Sequence, residues 1–237
     1  MNITFGYPSQ DCKECQKCEL KVDAYYQQRG PVKLMLVGQD PTIFKDKNRV
    51  KHVLMLDDIN GQLSRWLRNL FGNELFNDLT IYATNLVKCT LENPPSTMPG
   101  GGLNFLREYY ANCKKYLEEE IKKFQPKILL TLGEPSHILF RTILDDPSLI
   151  PITMQGSFSG IFTRVSVKEV KFDYSPCLHI KTFRVAEVYG ESVKTFKKEI
   201  LNYFNINELH SSTNKLSAEQ CERIPETGIH KPCNKWR

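Results

Sequence analysis

The sequence contains no apolar run long enough to cross a membrane, no internal repeat and no low-complexity tract. A membrane-spanning helix needs about 20 consecutive, mostly apolar residues. The first residues also lack the basic segment followed by an apolar segment that forms a secretion signal. We therefore expect a cytoplasmic monomer that makes no contact with a membrane.

The charge of the chain is only mildly unbalanced, with 32 Lys and Arg against 27 Asp and Glu and a net charge of +5. This excess permits binding to nucleic acid without requiring it. The 237 residues are 41% hydrophobic, which is enough for one sizeable core. We predict one domain over residues 1–204 and a polar tail over residues 205–237.

The most informative stretch runs from Lys33 to Thr42. Leu34 to Val37 form an apolar run that predicts a buried strand, which ends at Gly38 because Pro41 prevents its continuation. Gln39 and Asp40 thus lie on a turn at the carboxyl end of a strand, where open α/β sheets place their active sites. The Asp40 carboxylate is a candidate helix cap, metal ligand or catalytic base.

Strands and helices alternate along the rest of the chain. The fold class that this pattern predicts is α/β, a three-layer α/β/α sandwich with a central, mostly parallel four-stranded sheet. One further strand ends at Asn85, and another precedes Gly133. The predicted helices cover residues 62–71, about 105–124, about 135–144 and 185–204.

Eight cysteines are present, and without a secretion signal they indicate metal or redox chemistry before disulfides. Three of them, Cys12, Cys15 and Cys18, lie within seven residues. Cys89 follows the strand that ends at Asn85, and Cys113 lies on the next helix. Four thiolates together fit a [4Fe–4S] cluster or a tetrahedral zinc ion. The alternative is that Cys89 and Cys113 are small buried apolar residues.

Several segments in order resemble the uracil-DNA glycosylase superfamily, most closely its iron–sulfur branch, families four and five. That branch has Cys-x2-Cys-x-Leu, then a strand ending in Val-Gly-Glu-x-Pro-Gly, Tyr-x-Thr-Asn-x-Val-Lys-Cys, Cys-x2-Tyr/Trp-Leu, Pro-x-Ile-Leu-x-x-Leu-Gly and His-Pro-x-x-Leu-x-Arg. The matching segments here are Cys15–Leu20, Val37–Thr42, Tyr82–Cys89, Cys113–Leu117, Pro126–Gly133 and, loosely, His179–Arg184.

The resemblance implies a monofunctional DNA glycosylase that flips a base out of DNA, hydrolyses its N-glycosidic bond and leaves an abasic site. Its partner would be DNA, and a structural [4Fe–4S] cluster, or alternatively zinc, would be the cofactor. The implied cluster ligands are Cys15, Cys18, Cys89 and Cys113, with Cys12 as a spare thiol or an alternative ligand. The implied catalytic residues are Asp40 and His179. Base-binding candidates are Gln39, Thr42, Phe44, His52 and Asn85, and DNA-binding candidates are Lys181, Phe183 and Arg184.

Three departures from the family pattern bear on the substrate. Gln39-Asp40 replaces the usual pair of the iron–sulfur branch and matches family one, which supports an active carboxylate. Thr42 stands where family one has a tyrosine that blocks a 5-substituent, so space is left beside C5. The Pro-Phe-Val-Gly segment with its stacking phenylalanine is not recognisable, which leaves Phe44 and His52 as candidates for that role.

The predicted substrate is therefore uracil or a 5-modified pyrimidine. The alternatives are a glycosylase for a bulky 5-substituted cytosine, for example in foreign DNA, a non-catalytic DNA-binding metal protein, and a small metal protein without a nucleic-acid role. His137 is interpreted as a helix residue, and Cys177 as a buried thiol beside the active loop. Cys221, His230 and Cys233 in the tail are interpreted as incidental.

Overall fold

The computed structural model describes residues 15, 22–27, 30–43, 46, 48, 50–100, 102–179 and 190–204. The chain divides into two units, Met1–Glu199 and Ile200–Arg237. In the second unit residues 200–204 are helical. The predicted tail, residues 205–237, lies outside the described residues, so the predicted boundary stays a prediction.

One mixed sheet organises the described part of the first unit. Its six strands have the spatial order β1-β3-β2-β4-β6-β5. The strands are β1 (Tyr25–Tyr26), β2 (Leu34–Gly38), β3 (Ile81–Asn85), β4 (Ile128–Leu132), β5 (Thr163–Val167) and β6 (Val170–Cys177). The four inner strands are mutually parallel, whereas β1 and β5 pair antiparallel at the two edges.

The prediction of a four-stranded sheet is therefore wrong in the number of strands. The first added strand, β1, has two residues, too few to display an alternating pattern. The second, β5, forms a hairpin with β6 through Lys168 and Glu169, whose φ angles of 49° and 67° are left-handed. No glycine marks this turn in the sequence; instead the Asp145 carboxylate accepts hydrogen bonds from both backbone N–H groups, at 2.9 and 3.0 Å.

The predicted helices are present among the described residues, but the one predicted near 135–144 ends at Phe140, and the short helices Asn73–Asp78 and Met154–Ser157 were not predicted. The helix predicted over residues 62–71 is confirmed, and its leucines at 63, 67 and 70 are buried. The helices are α1 (Gln62–Phe71), α2 (Asn73–Asp78), α3 (Gly102–Phe124), α4 (Glu134–Phe140), α5 (Met154–Ser157) and, in the first unit, α6 (190–199). Within the described residues no helix is long and apolar enough to span a bilayer.

The sheet is buried on both faces. Met35 and Val37 of β2 share one core cluster with Leu106, Leu117 and Ile121 of α3. Leu34 and Leu36, which alternate with these two residues along β2, are also fully buried but lie outside that cluster. Since successive side chains of a strand point to opposite faces, a second core covers the other face.

A buried ion pair ties β3 to α3. Lys88 Nζ lies 2.7 Å from Glu120 Oε2, and both side chains are fully buried. The hydroxyls of Tyr82 and Thr84 donate to Glu120 Oε1 at 2.9 and 3.1 Å. Burial raises the pKa of the Glu120 carboxyl, while the Lys88 ammonium and these donors oppose the rise. The loop after β3 is thus fixed to α3.

His137 is a structural residue, as the sequence predicted. Its ring is fully buried, with Nδ1 2.8 Å from the Tyr174 hydroxyl and Nε2 2.9 Å from the Pro151 carbonyl oxygen. Burial lowers the pKa of this imidazole, so the neutral form is held inside the fold. Both ring nitrogens are occupied by the fold.

Candidate active site

The carboxyl ends of the four inner strands lie side by side and carry most of the candidate residues. Asn85 ends β3, Asp40 lies two residues beyond β2, and His179 lies two residues beyond β6. Gly133 directly follows β4. The parallel order of these strands therefore brings residues that are far apart in sequence to one edge of the sheet.

Gly38 allows the closest approach at this edge. It pairs in register with Asn85 of the adjacent strand. A Cβ atom at Gly38 would lie 2.4 Å from Asn85 Oδ1 and 2.7 Å from a terminal methyl carbon of Leu54. The absence of a side chain at position 38 is what lets the Asn85 amide lie over the end of β2.

Gly133 has the same function at the end of β4. Its φ of 86° lies in the left-handed region, and a Cβ there would lie 3.5 Å from Gln39 Nε2 and 3.7 Å from His179 Cβ. Its N–H donates to the Cys177 carbonyl at 2.8 Å, which ties the end of β4 to β6. Gln39 and His179 therefore both lie next to this glycine. The thiol of Cys177 is buried beside this loop, as predicted.

Asp40 is half-buried and accepts a hydrogen bond from one side chain among the described residues. The Thr42 hydroxyl donates to Asp40 Oδ2 at 2.5 Å. Burial raises the pKa of the Asp40 carboxyl to about 6, and the Thr42 hydrogen bond acts in the opposite direction. A carboxyl with this pKa is mostly ionised at neutral pH yet poorly hydrated, which suits a catalytic base.

The segment that carries Thr42 is held as a short bridge. Ile43 N–H donates to the Leu91 carbonyl at 2.8 Å, and Leu91 N–H donates to the Pro41 carbonyl at 3.2 Å. Thr42 therefore pairs with Leu91 in a parallel bridge. The backbone on the carboxyl side of Asp40 is fixed by this pairing.

An open cavity of about 920 Å³ lies over this edge of the sheet. Residues 38–42 and His179 form part of its wall, together with Leu54 and Met55. Asp58, Asn60, Gln62 and Ser96 add polar groups, and residues 94–95 add two prolines. Ligand pockets of about 300–1,000 Å³ hold drug-sized molecules, so this one exceeds the needs of a single pyrimidine ring.

Comparison with protein families identifies the chain. A model described as "Uracil DNA glycosylase superfamily" matches residues 26–204, more than half of the chain. This chain belongs to the uracil DNA glycosylase superfamily. The match covers every strand and helix that forms the candidate site, and it does not by itself assign the chain to the iron–sulfur branch. A search of curated proteins gave no match.

Not all of the residues predicted from the superfamily resemblance meet at the cavity. Gln39, Asp40, Thr42 and His179 line it. His52 does not lie among the described lining residues; its Nδ1 is 3.3 Å from Asp57 Oδ2, and its ring packs edge-on against another aromatic ring. The predicted residues that lie outside the described residues are Cys12, Cys18, Phe44, Lys181, Phe183, Arg184, Cys221, His230 and Cys233.

Sequence reasoning missed the 54–55 turn, which supplies the apolar wall of the cavity. Leu54 and Met55 both have left-handed backbone conformations, with φ angles of 61° and 51°. The signal was the apolar run Val53–Leu56 inside a segment that is otherwise polar. That run follows the Thr42 segment and precedes α1.

Three of the four predicted cluster cysteines can be located. Cys89 and Cys113 are buried, and Cys15 is half-buried, with Asn112 Nδ2 donating to its Sγ at 3.2 Å. Burial raises the pKa of the Cys113 thiol to about 11, and the nearby sulfurs of Cys89 and Cys15 contribute to the rise. Among the described residues no group of three or more His, Cys, Asp or Glu side chains is arranged to hold a metal ion.

Proposed function

We propose that the protein is a monofunctional DNA glycosylase, which hydrolyses the N-glycosidic bond of a flipped-out base and leaves an abasic site. The observation that carries the proposal is the arrangement around Asp40, a poorly hydrated carboxyl on the wall of an open cavity that His179 also lines. A target base must leave the DNA stack to reach such a cavity.

Asp40 has the properties that the sugar half of this reaction needs. As the glycosidic bond breaks, positive charge develops on the sugar, and a fixed carboxylate nearby stabilises it. With a pKa of about 6, the carboxyl is also a suitable base for the attacking water near neutral pH. The Thr42 hydroxyl holds the carboxylate through Oδ2 and so leaves Oδ1 for the water or the sugar.

Asn85 and His179 have the properties that the base half needs. The amide of Asn85 is buried and without a hydrogen-bond partner among the described residues, so its donor and acceptor could both pair with the edge of a pyrimidine that reaches them. His179 is exposed and lines the cavity, where a donated hydrogen bond would stabilise the negative charge on the departing base.

Uracil and a 5-modified pyrimidine are the two candidate substrates, and the cavity favours the modified base. Its volume of about 920 Å³ leaves space beyond a pyrimidine ring. Asp58, Asn60 and Gln62 would offer hydrogen bonds to a polar substituent that fills that space. The alternative substrate is a bulky 5-substituted cytosine, for example in foreign DNA.

We further propose a structural [4Fe–4S] cluster on Cys15, Cys18, Cys89 and Cys113, with zinc as the alternative. The electrostatic effect of the Cys89 and Cys15 sulfurs on the buried Cys113 thiol supports this proposal. The cluster would tie the segment around Cys15 to the loop after β3 and to α3.

DNA is the proposed partner. The proposed contacts to its phosphates and to its stacked bases are Lys181, Phe183 and Arg184. These three residues follow His179 closely in the sequence. Cationic side chains there would bind phosphate oxygens, and an aromatic side chain would fill the gap left by the flipped base.

A substrate panel tests the function. Oligonucleotides that carry one uracil, one cytosine, one 5-hydroxymethylcytosine or one glucosylated 5-hydroxymethylcytosine are incubated with the protein, and abasic sites are revealed by alkaline strand cleavage. We expect cleavage at uracil or at a modified base and none at cytosine. The absence of abasic sites in every substrate would favour the non-catalytic DNA-binding alternative.

A further inference from the structure

The side-chain amide of Asn85 is almost fully buried, whereas a residue that binds a base without any movement of the protein would be exposed to the cavity. The side chain is 1% exposed, and among the described residues neither its nitrogen nor its oxygen has a hydrogen-bond partner. Leaving a buried polar group without a partner is costly, and native folds avoid it unless the group has a use. An amide that binds a base has such a use, but the base must be able to reach it.

Leu54 lies beside this amide and also lines the cavity. The Leu54 methyl carbon and Asn85 Oδ1 lie within 2.7 and 2.4 Å of the same point, the position of a Cβ on Gly38. Both side chains therefore share the space above Gly38. Leu54 belongs to the wall of the cavity, whereas Asn85 is not among the described residues that line it. The apolar Leu54 side chain is thus the neighbour of the buried amide that reaches the cavity wall.

The backbone under Leu54 is held in a conformation that leucine rarely adopts. Leu54 and Met55 have φ angles of 61° and 51°, both left-handed, within a turn of three residues. A non-glycine residue in this region is disfavoured, because its Cβ crowds the backbone. Strained residues of this kind persist where surrounding contacts hold them, and they concentrate at ligand clamps and switch regions.

We propose that Leu54 is a displaceable cover over Asn85, which occupies the end of β2 when no base is bound and moves aside when a base enters. The identity of the ligand, a flipped pyrimidine, rests on the proposed function; the cover itself does not. Movement of Leu54 exposes the amide, and a base with matching donor and acceptor groups then gives both amide atoms partners.

The cover would make the site selective. A ligand shifts a conformational equilibrium only by the difference between its affinities for the two states. A base that hydrogen-bonds to the amide stabilises the open state, whereas a base without the matching edge leaves Leu54 in place. Leu54 is thus a specificity-determining residue, and the left-handed turn beneath it is the segment that changes.

Exchange of the Asn85 side-chain amide with solvent measures the cover without DNA and without catalysis. The NH₂ signals of the full chain are assigned by their loss in Asn85→Asp, and their exchange rate is compared in wild type and Leu54→Ala. The control is Ile59→Ala, because Ile59 lies in the same loop and is 62% exposed. We expect exchange at least about tenfold faster in Leu54→Ala than in wild type, and no change in the control.

A second variant separates the cover from its backbone strain. Leu54→Gly also removes the side chain, but glycine adopts left-handed angles freely. We expect exchange as fast as in Leu54→Ala and a higher melting temperature than that variant. Titration with free uracil should shift the Asn85 signals at lower concentration in both variants than in wild type.

The outcomes separate the cover from the glycosylase activity. Equal exchange rates in wild type and both Leu54 variants would overturn the cover, whatever the substrate panel gives. Faster exchange in both variants, together with no base release from any oligonucleotide, would leave the cover standing and reject the proposed function. A control that exchanges as fast as the Leu54 variants would also reject the cover, since the loop as a whole would then be loosened.

Discussion

The hydroxyl of Thr42 donates a hydrogen bond to the carboxylate of Asp40, two residues earlier on the same turn. The bridge to Leu91 fixes the backbone that presents this hydroxyl. A donated hydrogen bond favours the ionised carboxylate, and burial disfavours it. The ionisation of Asp40 is therefore set by two opposing effects, the burial of its carboxyl group and the hydrogen bond from Thr42.

Substitution of Thr42 by valine should move the pH dependence of base release. Valine keeps the shape of threonine but lacks the hydroxyl, so the pKa of Asp40 should rise above its value of about 6. Since the ionised carboxylate is the active form, the acidic limb of kcat/KM should shift to higher pH by about one unit. The measurement is the pH profile of base release between pH 5 and about 9.

Thr42→Ser is the matched control because it retains the hydroxyl. Its acidic limb should stay close to that of the wild type, even where its maximal rate is lower. If the valine and serine variants share the wild-type limb, Thr42 does not influence the ionisation of Asp40.

Substitution of Gly38 by alanine should damage both the site and the fold. The added methyl group would lie 2.4 Å from Asn85 Oδ1 and 2.7 Å from Leu54, so at least one of these side chains must move. Overpacking of this kind costs about 1–3 kcal/mol of unfolding free energy. A displaced base-binding amide should lower base release by about a hundredfold.

Gly190→Ala provides the comparison, since a Cβ at that position meets no atom within 4 Å. Urea unfolding and single-turnover base release are measured on both variants. Wild-type release by Gly38→Ala would mean that the contact between Gly38 and Asn85 has no part in base recognition.

Removal of Lys88 should leave the Glu120 carboxylate buried without its counter-ion. We expect Lys88→Met to lose about 3–5 kcal/mol of unfolding free energy, as is usual when one partner of a buried pair is removed. The double variant Lys88→Met/Glu120→Gln should recover part of this loss, because the neutral amide still accepts from Tyr82 and Thr84. Urea unfolding of the wild type, single and double variants measures the recovery, and an unrecovered double variant would contradict this explanation.

Loss of Cys89 should remove the proposed metal. Cys89→Ser is expected to lower the iron content, or the zinc content, of the purified protein and to reduce its solubility, because a structural site contributes to folding. Metal analysis and visible absorbance measure the effect. Cys12→Ser should retain the metal, and an unchanged metal content in Cys89→Ser would exclude this residue as a ligand.

The sequence was sufficient to predict the elements that carry the site. The apolar run before Gly38, the break at Pro41 and the strand that ends at Asn85 place the strand ends correctly, because buried parallel strands are continuous apolar runs. The apolar periodicity predicted the bounds of α1. Helix α3 begins at Gly102, three residues before its predicted start. Local patterns thus determined where each strand of the site ends.

What the sequence could not predict depends on contacts between distant residues. The turn that joins β5 to β6 is stabilised by Asp145, more than twenty residues before it. The left-handed angles of Leu54 and Met55 contradict the local preference of both residues. The contact of His52 with Asp57 likewise joins residues that no short-range sequence pattern connects. No local pattern encodes such tertiary contacts.

The measurement that tests the central claim most directly is base release by Asp40→Asn beside the wild type. Oligonucleotides with one uracil or one 5-modified cytosine are used for abasic-site formation, and the same oligonucleotides are used for binding. The wild type should form abasic sites on at least one of them, and Asp40→Asn should bind that DNA with similar affinity yet release its base at least about a thousandfold more slowly. Wild-type base release by Asp40→Asn would contradict the assignment of Asp40 as the catalytic carboxylate.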